Sequence, residues 1–146
     1  MPNFEESLSI VLKRWQLEQI PAVSQERRKL WTAIANCERI NGIILPDEYK
    51  VFLDATCGHD TTVVEAFFDF LKIDRVYFAS GPTEWPVRYF AFAEWLAQSR
   101  VLGIRFLGEH AGPIAFCDDR IPVYSSFRDL IIAMSEPDTL MKLGGW

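Results

Sequence analysis

The segment from Leu45 to Gly58 constrains the fold more than any other part of this chain. Pro46 fits the first position of a helix, since its missing N–H would lie unpaired there in any case. The two acidic residues that follow suit the positive end of the helix dipole, and one apolar face is formed by Tyr49, Phe52 and Leu53. Glycine commonly ends a helix in the left-handed conformation, so Gly58 marks the stop. The segment therefore predicts a short helix entered at Pro46.

Two longer helices are predicted before this segment. The first covers about residues 3–18 and carries an apolar stripe that begins at Phe4. The second runs from Ser24, a residue type that caps helices, to Asn41, where an Asn-Gly pair stops it. We expect the buried stripe of this second helix to contain Leu30, Trp31, Ile34, Cys37 and Ile40.

The pattern changes to strands after the short helix. Residues 63–78 are dense in β-branched and aromatic side chains, and residues 89–93 and 101–107 follow as two further strands. Residues 114–123 predict a hairpin. Alternation along these last strands predicts one buried sheet face that consists of Leu102, Ile104, Phe106, Ile114, Phe116, Ile121 and Val123.

A last helix is predicted after the strands. Ser126 and Asp129 have the spacing of a capping box, which marks the start of a helix. Helices, then strands, then a helix is the order of an α+β domain, with one antiparallel sheet flanked by N-terminal and C-terminal helices. No repeat or linker composition interrupts residues 1–146, and this length suits one domain. We therefore expect a single domain.

The net charge of −5 is unevenly distributed. Residues 1–50 hold seven basic and seven acidic side chains, whereas residues 51–146 hold eight basic and thirteen acidic ones. Nucleic-acid binding requires a basic surface, so this balance argues against it. An acidic second half is compatible with a basic protein partner.

The lack of a targeting signal in the sequence, together with the cysteine usage, predicts a cytoplasmic protein. The start of the sequence has no basic region ahead of a long apolar run, and no segment approaches the roughly 18 apolar residues of a membrane span. The three cysteines form neither a CxxC pair nor an even disulfide set. We expect no membrane contact and a reducing environment.

The closest approach to a chemical cluster is Cys57-Gly58-His59-Asp60. A nucleophilic cysteine needs a base within hydrogen-bonding distance, and adjacent loop residues can point in any direction. A zinc site requires three or four ligands with paired spacings, which the sequence does not offer. We predict no catalysis, no metal and no cofactor, and keep a small enzyme that uses Cys57 or His59 as the less favoured alternative.

Acidic residues beside an exposed aromatic favour protein recognition instead. Trp85 lies between Glu84 and Pro86 in a loop that is predicted to be at the surface, and tryptophan is common in interface hot spots. A tryptophan that covers the edge of the core is an equally good interpretation. The predicted partner-binding residues are Asp60, Glu65, Asp69, Glu84 and Trp85.

Three motifs occur in a shared order along most of the chain. They are Leu45-Pro46-x-x-Tyr49-Lys50-x-Phe52-Leu53, the segment Phe92-Ala93-Glu94-Trp95-Leu96-Ala97-Gln98-Ser99, and Ile121-Pro122-Val123 ahead of Ser125-Ser126-Phe127-Arg128-Asp129-Leu130. In this order they resemble the SUKH superfamily of Smi–Knr-like proteins, whose central segment reads F-A-D-W-L-x-x-S. Cys57 departs from the pattern, because the family often has Asn before the glycine.

The SUKH resemblance implies an α+β fold with one antiparallel sheet and no catalytic residues. Many bacterial members are implicated as immunity proteins that bind and neutralise polymorphic toxins. We therefore expect a non-catalytic domain that binds a protein, namely a basic toxin domain. The alternative within the same fold is a cytoplasmic regulator or scaffold without a toxin partner.

Overall fold

The computed structural model describes residues 3–14, 24–56, 61–63, 68–70, 76–80, 88–95, 100–107, 109–116 and 123–136. These residues contain the helices α1 (Phe4–Arg14), α2 (Ser24–Asn41), α3 (Asp47–Ala55) and α4 (Phe127–Met134). They also contain the strands β1 (Thr61–Val63), β2 (Phe68–Phe70), β3 (Tyr77–Ser80), β4 (Arg88–Trp95), β5 (Arg100–Leu107) and β6 (His110–Phe116). The predicted α+β class is confirmed.

The described strands form one sheet in which every pairing is antiparallel, in the order β1-β2-β4-β5-β6. On the side of β4 away from β5, β2 pairs with its C-terminal part and β3 with its N-terminal part. The register of β4 against β5 shifts between Ala91 and Ala93, which pair with Gly103 and Leu102. Phe92 is the extra residue of this bulge.

The bulge turns two consecutive residues of β4 to the same side of the sheet. Phe92 and Ala93 both belong to the hydrophobic core, although neighbouring strand residues normally alternate between faces. The Phe92 ring lies 5.6 Å from that of Phe127 in α4 and 5.7 Å from that of Tyr49 in α3. Helices α3 and α4 therefore cover one face of the sheet, which we call the inner face.

The buried face predicted for the last strands is confirmed where its side chains are described. Four of the predicted residues are buried in the core: Leu102, Ile104, Phe106 and Ile114. Val123 is half-buried and packs against them. The side chain of Phe116 and the whole of Ile121 lie outside the described residues.

The first helices begin and end close to the predicted residues. Helix α2 spans the predicted range, and Gly42 follows it with a φ of +64°, the left-handed conformation that favours glycine. In α3 the prediction was one residue early, because Pro46 is the N-cap and Asp47 is the first helical residue. Gly58 lies outside the described residues.

The predicted stripe of α2 is only partly buried. Leu30 and Ile34 are in the core, and Cys37 is half-buried, whereas Trp31 and Ile40 are exposed by 42% and 72%. At 100° per residue, Ile40 lies about 180° around the helix from Trp31, so one packed face cannot hold both. The prediction was therefore wrong for these two side chains.

The ends of the described chain meet where α1 packs against α4. The Ser7 and Ser135 hydroxyls lie 3.3 Å apart in this buried contact, and Arg14 donates a hydrogen bond to the Met134 carbonyl oxygen at 3.5 Å. The predicted cap of α4 is confirmed, since the Asp129 N–H donates to the Ser126 side-chain oxygen. Helix α1 thus packs against α4.

Candidate protein-binding surface

Of the predicted partner-binding residues, only Asp69 lies among the residues that the structure describes. This residue lies at the centre of β2. The other four, Asp60, Glu65, Glu84 and Trp85, lie outside the described residues, as do Cys57 and His59 of the alternative enzyme site.

Asp69 lies directly opposite Glu94 of β4 in the register of the sheet. The same row continues to Thr62 of β1 on one side and to Val101 of β5 on the other. The neighbouring pair along the strands, Phe70 opposite Ala93, belongs to the core. Since consecutive strand positions alternate between faces, the row of Asp69 and Glu94 belongs to the face turned away from α3 and α4, the outer face.

Like charges at directly opposed positions of an antiparallel pair destabilise the pairing. The chain nevertheless has an aspartate and a glutamate at positions 69 and 94, and Glu94 is only half-buried. Two acidic residues at opposed register positions favour a negative potential on this part of the outer face. We call the positions of Asp69 and Glu94 the acidic row.

Glu94 was not among the residues predicted to bind a partner. Its distance from Asp69 along the chain hides the pairing, which depends on the long-range register of β2 against β4. One signal was present in the sequence, because the SUKH-like segment around Phe92 and Trp95 has an acidic residue at this position.

The other end of the outer face has the opposite character. The Arg105 guanidinium lies 5.6 Å from the centre of the Tyr89 ring and donates a hydrogen bond to the tyrosine hydroxyl at 3.3 Å. Tyr89 is fully buried, although it does not belong to the core beneath α3 and α4. Stacking of a guanidinium on an aromatic ring, joined to a hydrogen bond, holds both side chains in place.

Two ionisable side chains lie at the hydrophobic core: Tyr49 is fully buried in it, and Cys37 is half-buried against it. Burial raises the pKa of the Tyr49 hydroxyl well above its usual value, and among the described residues this hydroxyl has no hydrogen-bond partner. Burial also raises the pKa of the half-buried Cys37 thiol, whereas its contact with the Asn41 amide, 3.7 Å away, acts in the opposite direction. A thiol with a raised pKa holds its proton at neutral pH and is a weak nucleophile.

In the part of the chain that the structure describes, no group of three or more His, Cys, Asp or Glu side chains could hold a metal ion. None of the described helices combines the length and the hydropathy that a membrane crossing requires.

Comparisons of the chain with protein-family models, with curated proteins and with solved structures gave no match. The SUKH resemblance therefore depends on the three motifs alone. In the structure the first motif forms the start of α3, and the beginning of the second forms the end of β4.

Proposed function

We propose that this chain is a non-catalytic protein-binding domain that binds a basic partner through the acidic row of its outer sheet face. We further propose that the partner is a toxin domain, which the chain neutralises in the manner of SUKH-type immunity proteins. The observation that carries the proposal is the direct opposition of Asp69 and Glu94 in the sheet register.

The energetics of the acidic row support a role in binding. Two like charges at opposed positions cost stability in the free protein, and a basic side chain from a partner would relieve that repulsion on binding. The excess of acidic residues in the second half of the sequence acts in the same direction. Because this repulsion would be relieved only in the complex, its relief would increase the affinity for the partner without any change in the fold.

The motifs support the family side of the proposal. In the first motif, Tyr49, Phe52 and Leu53 are all buried beneath the sheet, which explains why a SUKH-like pattern would require large apolar residues there. In the second motif, Phe92 is buried, whereas Glu94 belongs to the acidic row. The motif thus combines one residue that the core needs with one that a partner could contact.

The proposal predicts how the association responds to salt. Attraction between an acidic surface and a basic partner accelerates encounter, and dissolved ions screen it over about 8 Å at physiological ionic strength. The association rate should therefore fall as salt concentration rises, with a smaller change in the dissociation rate. Stopped-flow mixing or biosensor kinetics at several salt concentrations would measure both.

Co-expression with the toxin domain encoded by the adjacent gene tests the function. The wild type should protect cells, and the double charge reversal Asp69→Lys, Glu94→Lys should lose protection while keeping its circular dichroism spectrum. Glu109→Lys is the matched control, since it reverses a charge on an exposed turn away from the acidic row. If the double variant protects fully, the acidic row is not the binding surface. A wild type without protection would contradict immunity to that toxin.

The predicted binding residues outside the described part of the chain can be tested by measuring the same association and dissociation rates. Trp85→Ala should chiefly raise the dissociation rate, because a tryptophan anchor acts on the lifetime of a complex more than on its formation. Charge reversal at Glu65 should lower the association rate instead. If both variants change the association rate and the dissociation rate to the same extent, misfolding is the explanation, and circular dichroism would detect it.

A further inference from the structure

Helix α2 turns one side toward α3. The Trp31 Nε1 donates to the Asp54 carboxylate at 3.2 Å, and the Glu38 carboxylate lies 3.0 Å from the Lys50 Nζ. These contacts join the helices in reverse order along the chain, so the helices run antiparallel. Positions 31 and 38 lie about 20° apart around α2, and the same side therefore faces α3 at both contacts. The exposed residues on the remaining side form a second surface, separate from the acidic row.

Three basic residues lie on this exposed side of α2. At 100° per residue, Arg39 lies about 20° from Arg28 around the helix and about 16 Å from it along the axis. Lys29 lies about 100° from Arg28, in the direction away from α3. Small or uncharged side chains lie between the basic ones. We call the following exposed set the basic ridge: Arg28, Lys29, Thr32, Ala35, Asn36 and Arg39.

The two acidic residues of α2 lie outside the basic ridge. Glu38 faces α3, where its carboxylate is paired with Lys50. The same carboxylate accepts a hydrogen bond from the Leu45 N–H at 2.8 Å, which holds it at the connection between the helices. The position of Glu26 lies about 160° around the helix from Arg28. The ridge itself therefore contains no acidic residue.

Two of the three acidic residues of α3 do not neutralise the ridge. The Asp54 carboxylate is matched by Arg27, whose Nε lies 3.3 Å away. Glu48 lies about 160° around α3 from Lys50, and so on the side of α3 that is turned away from α2.

The third acidic residue of α3, Asp47, makes the two ends of the ridge unequal. It is exposed at the start of α3, which lies beside the end of α2 because the helices run antiparallel. Its charge therefore lowers the positive potential at Arg39, but it acts little on Arg28, which is about 16 Å further along the axis. The ridge is thus most basic at Arg28 and Lys29.

The charges of the ridge are not matched within the described part of the chain. Opposite charges three or four positions apart stabilise a helix, but neither Arg28 nor Arg39 has an acidic residue at such a position. No ion pair among the described residues involves Arg28, Lys29 or Arg39. The Arg39 guanidinium donates to the Asn36 side-chain oxygen at 3.3 Å, a neutral acceptor that orients it without matching its charge. These cations are complementary to carboxylates of a partner.

The shape of the ridge suits a helix. Between the charged ends, Thr32 and Ala35 are small, and small side chains allow a second helix to approach closely. Carboxylates eleven positions apart on that helix lie on one side of it, with the same spacing as Arg28 and Arg39. We propose that the basic ridge binds an acidic helix of a partner protein, whose carboxylates contact Arg28 and Lys29 at one end and Arg39 at the other.

A protein fits the ridge better than a nucleic acid does. Ile40 lies at the edge of the ridge, about 20° from Lys29 around α2, and is 72% exposed. An apolar side chain gains from contact with another apolar side chain but not from contact with a phosphate. The net charge of −5 opposes a polyanion that extends beyond one helix. A single acidic helix meets mainly the ridge, because charges further away than about 8 Å are screened.

Fluorescence anisotropy with the whole chain and a designed probe tests the proposal. The probe is a labelled, covalently stapled helical peptide with two glutamates eleven positions apart. In the matched control peptide the second glutamate is moved by two positions, which turns it to the opposite side of the peptide helix without changing the composition. The probe should bind, and the control peptide should bind about fivefold more weakly, which is the contribution of one exposed ion pair. This comparison requires no variant of the chain.

Charge reversal on the chain identifies the cations. The double variant Arg28→Glu, Arg39→Glu should raise the Kd for the probe by about tenfold or more, since repulsion replaces attraction at both ends. Of the two single variants, Arg28→Glu should have the larger effect, because Asp47 already weakens the other end. The matched control is Lys13→Glu, Arg128→Glu, which makes the same change in net charge at exposed residues of α1 and α4 and should leave the Kd unchanged.

A probe with reversed charges separates charge pairing from a change in fold. With lysines in place of its two glutamates, the peptide should bind the double variant Arg28→Glu, Arg39→Glu and should not bind the wild type. The circular dichroism spectrum of the double variant should match that of the wild type, because both substitutions are at exposed positions of α2.

Three results would overturn the proposal. One is the absence of saturable binding of the probe at about 1 mM chain, which would place the Kd above the millimolar range. Another is equal weakening by the double variant of the ridge and by its matched control. The last is a DNA duplex that binds the wild type more tightly than the probe and displaces it, which would assign the ridge to nucleic acid. The acidic row takes no part in these measurements, so this inference and the proposed function stand or fall separately.

Discussion

The two faces of the sheet differ in what their residues contact. The inner face places Phe70, Phe90 and Phe92 against the helices, with the Phe52 and Phe70 rings 4.6 Å apart. The outer face carries an arginine stacked on Tyr89 at one end and the acidic row at the other. The inner residues therefore set the free energy of unfolding, whereas the proposed role of the outer face in binding rests on the acidic row, because Tyr89 and Ala91 of that face are themselves buried. Substitutions on the two faces should separate these quantities.

The largest expected effect lies at the bulge of the inner face. Phe92→Ala removes a fully buried ring that contacts Tyr49 and Phe127, and the free energy of unfolding should fall by about 3–5 kcal/mol. Urea denaturation followed by circular dichroism would measure this loss. Phe106→Ala should cost a similar amount, because that ring is also buried. An unchanged midpoint for either variant would contradict the assignment of the inner face.

Tyr49 makes the inner face sensitive to alkali. Its pKa is raised in the folded state, so above pH 10 the unfolded chain releases this proton while the folded chain holds it. Stability should be fully present below pH 10 and should fall by up to about 1.4 kcal/mol per pH unit above it. Tyr49→Phe should abolish this part of the decline and lose nothing at pH 7, since the hydroxyl has no hydrogen-bond partner among the described residues.

The comparison of wild type and Tyr49→Phe isolates one side chain. Burial also raises the pKa of the half-buried Tyr124, but that contribution is the same in both proteins and cancels in the difference. Thermal unfolding between pH 8 and pH 11 would give the two curves. Parallel curves would show that Tyr49 titrates equally in the folded and unfolded states.

A smaller effect is expected at the basic end of the outer face. Tyr89→Phe keeps the ring beneath Arg105 but removes the hydroxyl that accepts its hydrogen bond, so the free energy of unfolding should fall by about 1 kcal/mol. Equilibrium denaturation in urea would measure it. A loss as large as that of Phe92→Ala would show that the outer face also carries the stability of the fold.

The smallest effect on stability is expected at the acidic row. Glu94→Gln removes one of two opposed charges, so the free energy of unfolding should stay within about 0.5 kcal/mol of the wild type or rise slightly. Partner binding should nevertheless weaken, with a lower association rate at low salt. A clear loss of stability would mean that Glu94 has a structural role, and the distinction between the two faces would fail at this position.

Local signals explain which elements could be predicted from the sequence. The bounds of α2 follow from a capping residue and a left-handed glycine, and the cap of α4 follows from the spacing of Ser126 and Asp129. Alternation correctly predicted Ile104 and Ile114 on one buried face. These features depend on residues that are neighbours along the chain.

Features that depend on distant residues were missed. The bulge at Phe92 and the opposition of Asp69 to Glu94 follow from how β4 aligns with β5 and β2, which periodicity does not encode. Helix periodicity predicted Trp31 in the buried stripe, but its indole N–H contacts Asp54 of α3, which keeps the ring at the surface. The candidate surfaces therefore depended on tertiary contacts more than the core did.

The position of β4 has a consequence for the order in which this protein opens. Strand β4 pairs with β5 along its length, and β2 and β3 share its other side, so most of its backbone amides and carbonyls have partners in neighbouring strands. Releasing those amides to solvent requires several strands to separate together, whereas β1 can detach alone. Deuterium should thus enter β1 within the native ensemble and reach the middle of β4 only when the whole molecule unfolds.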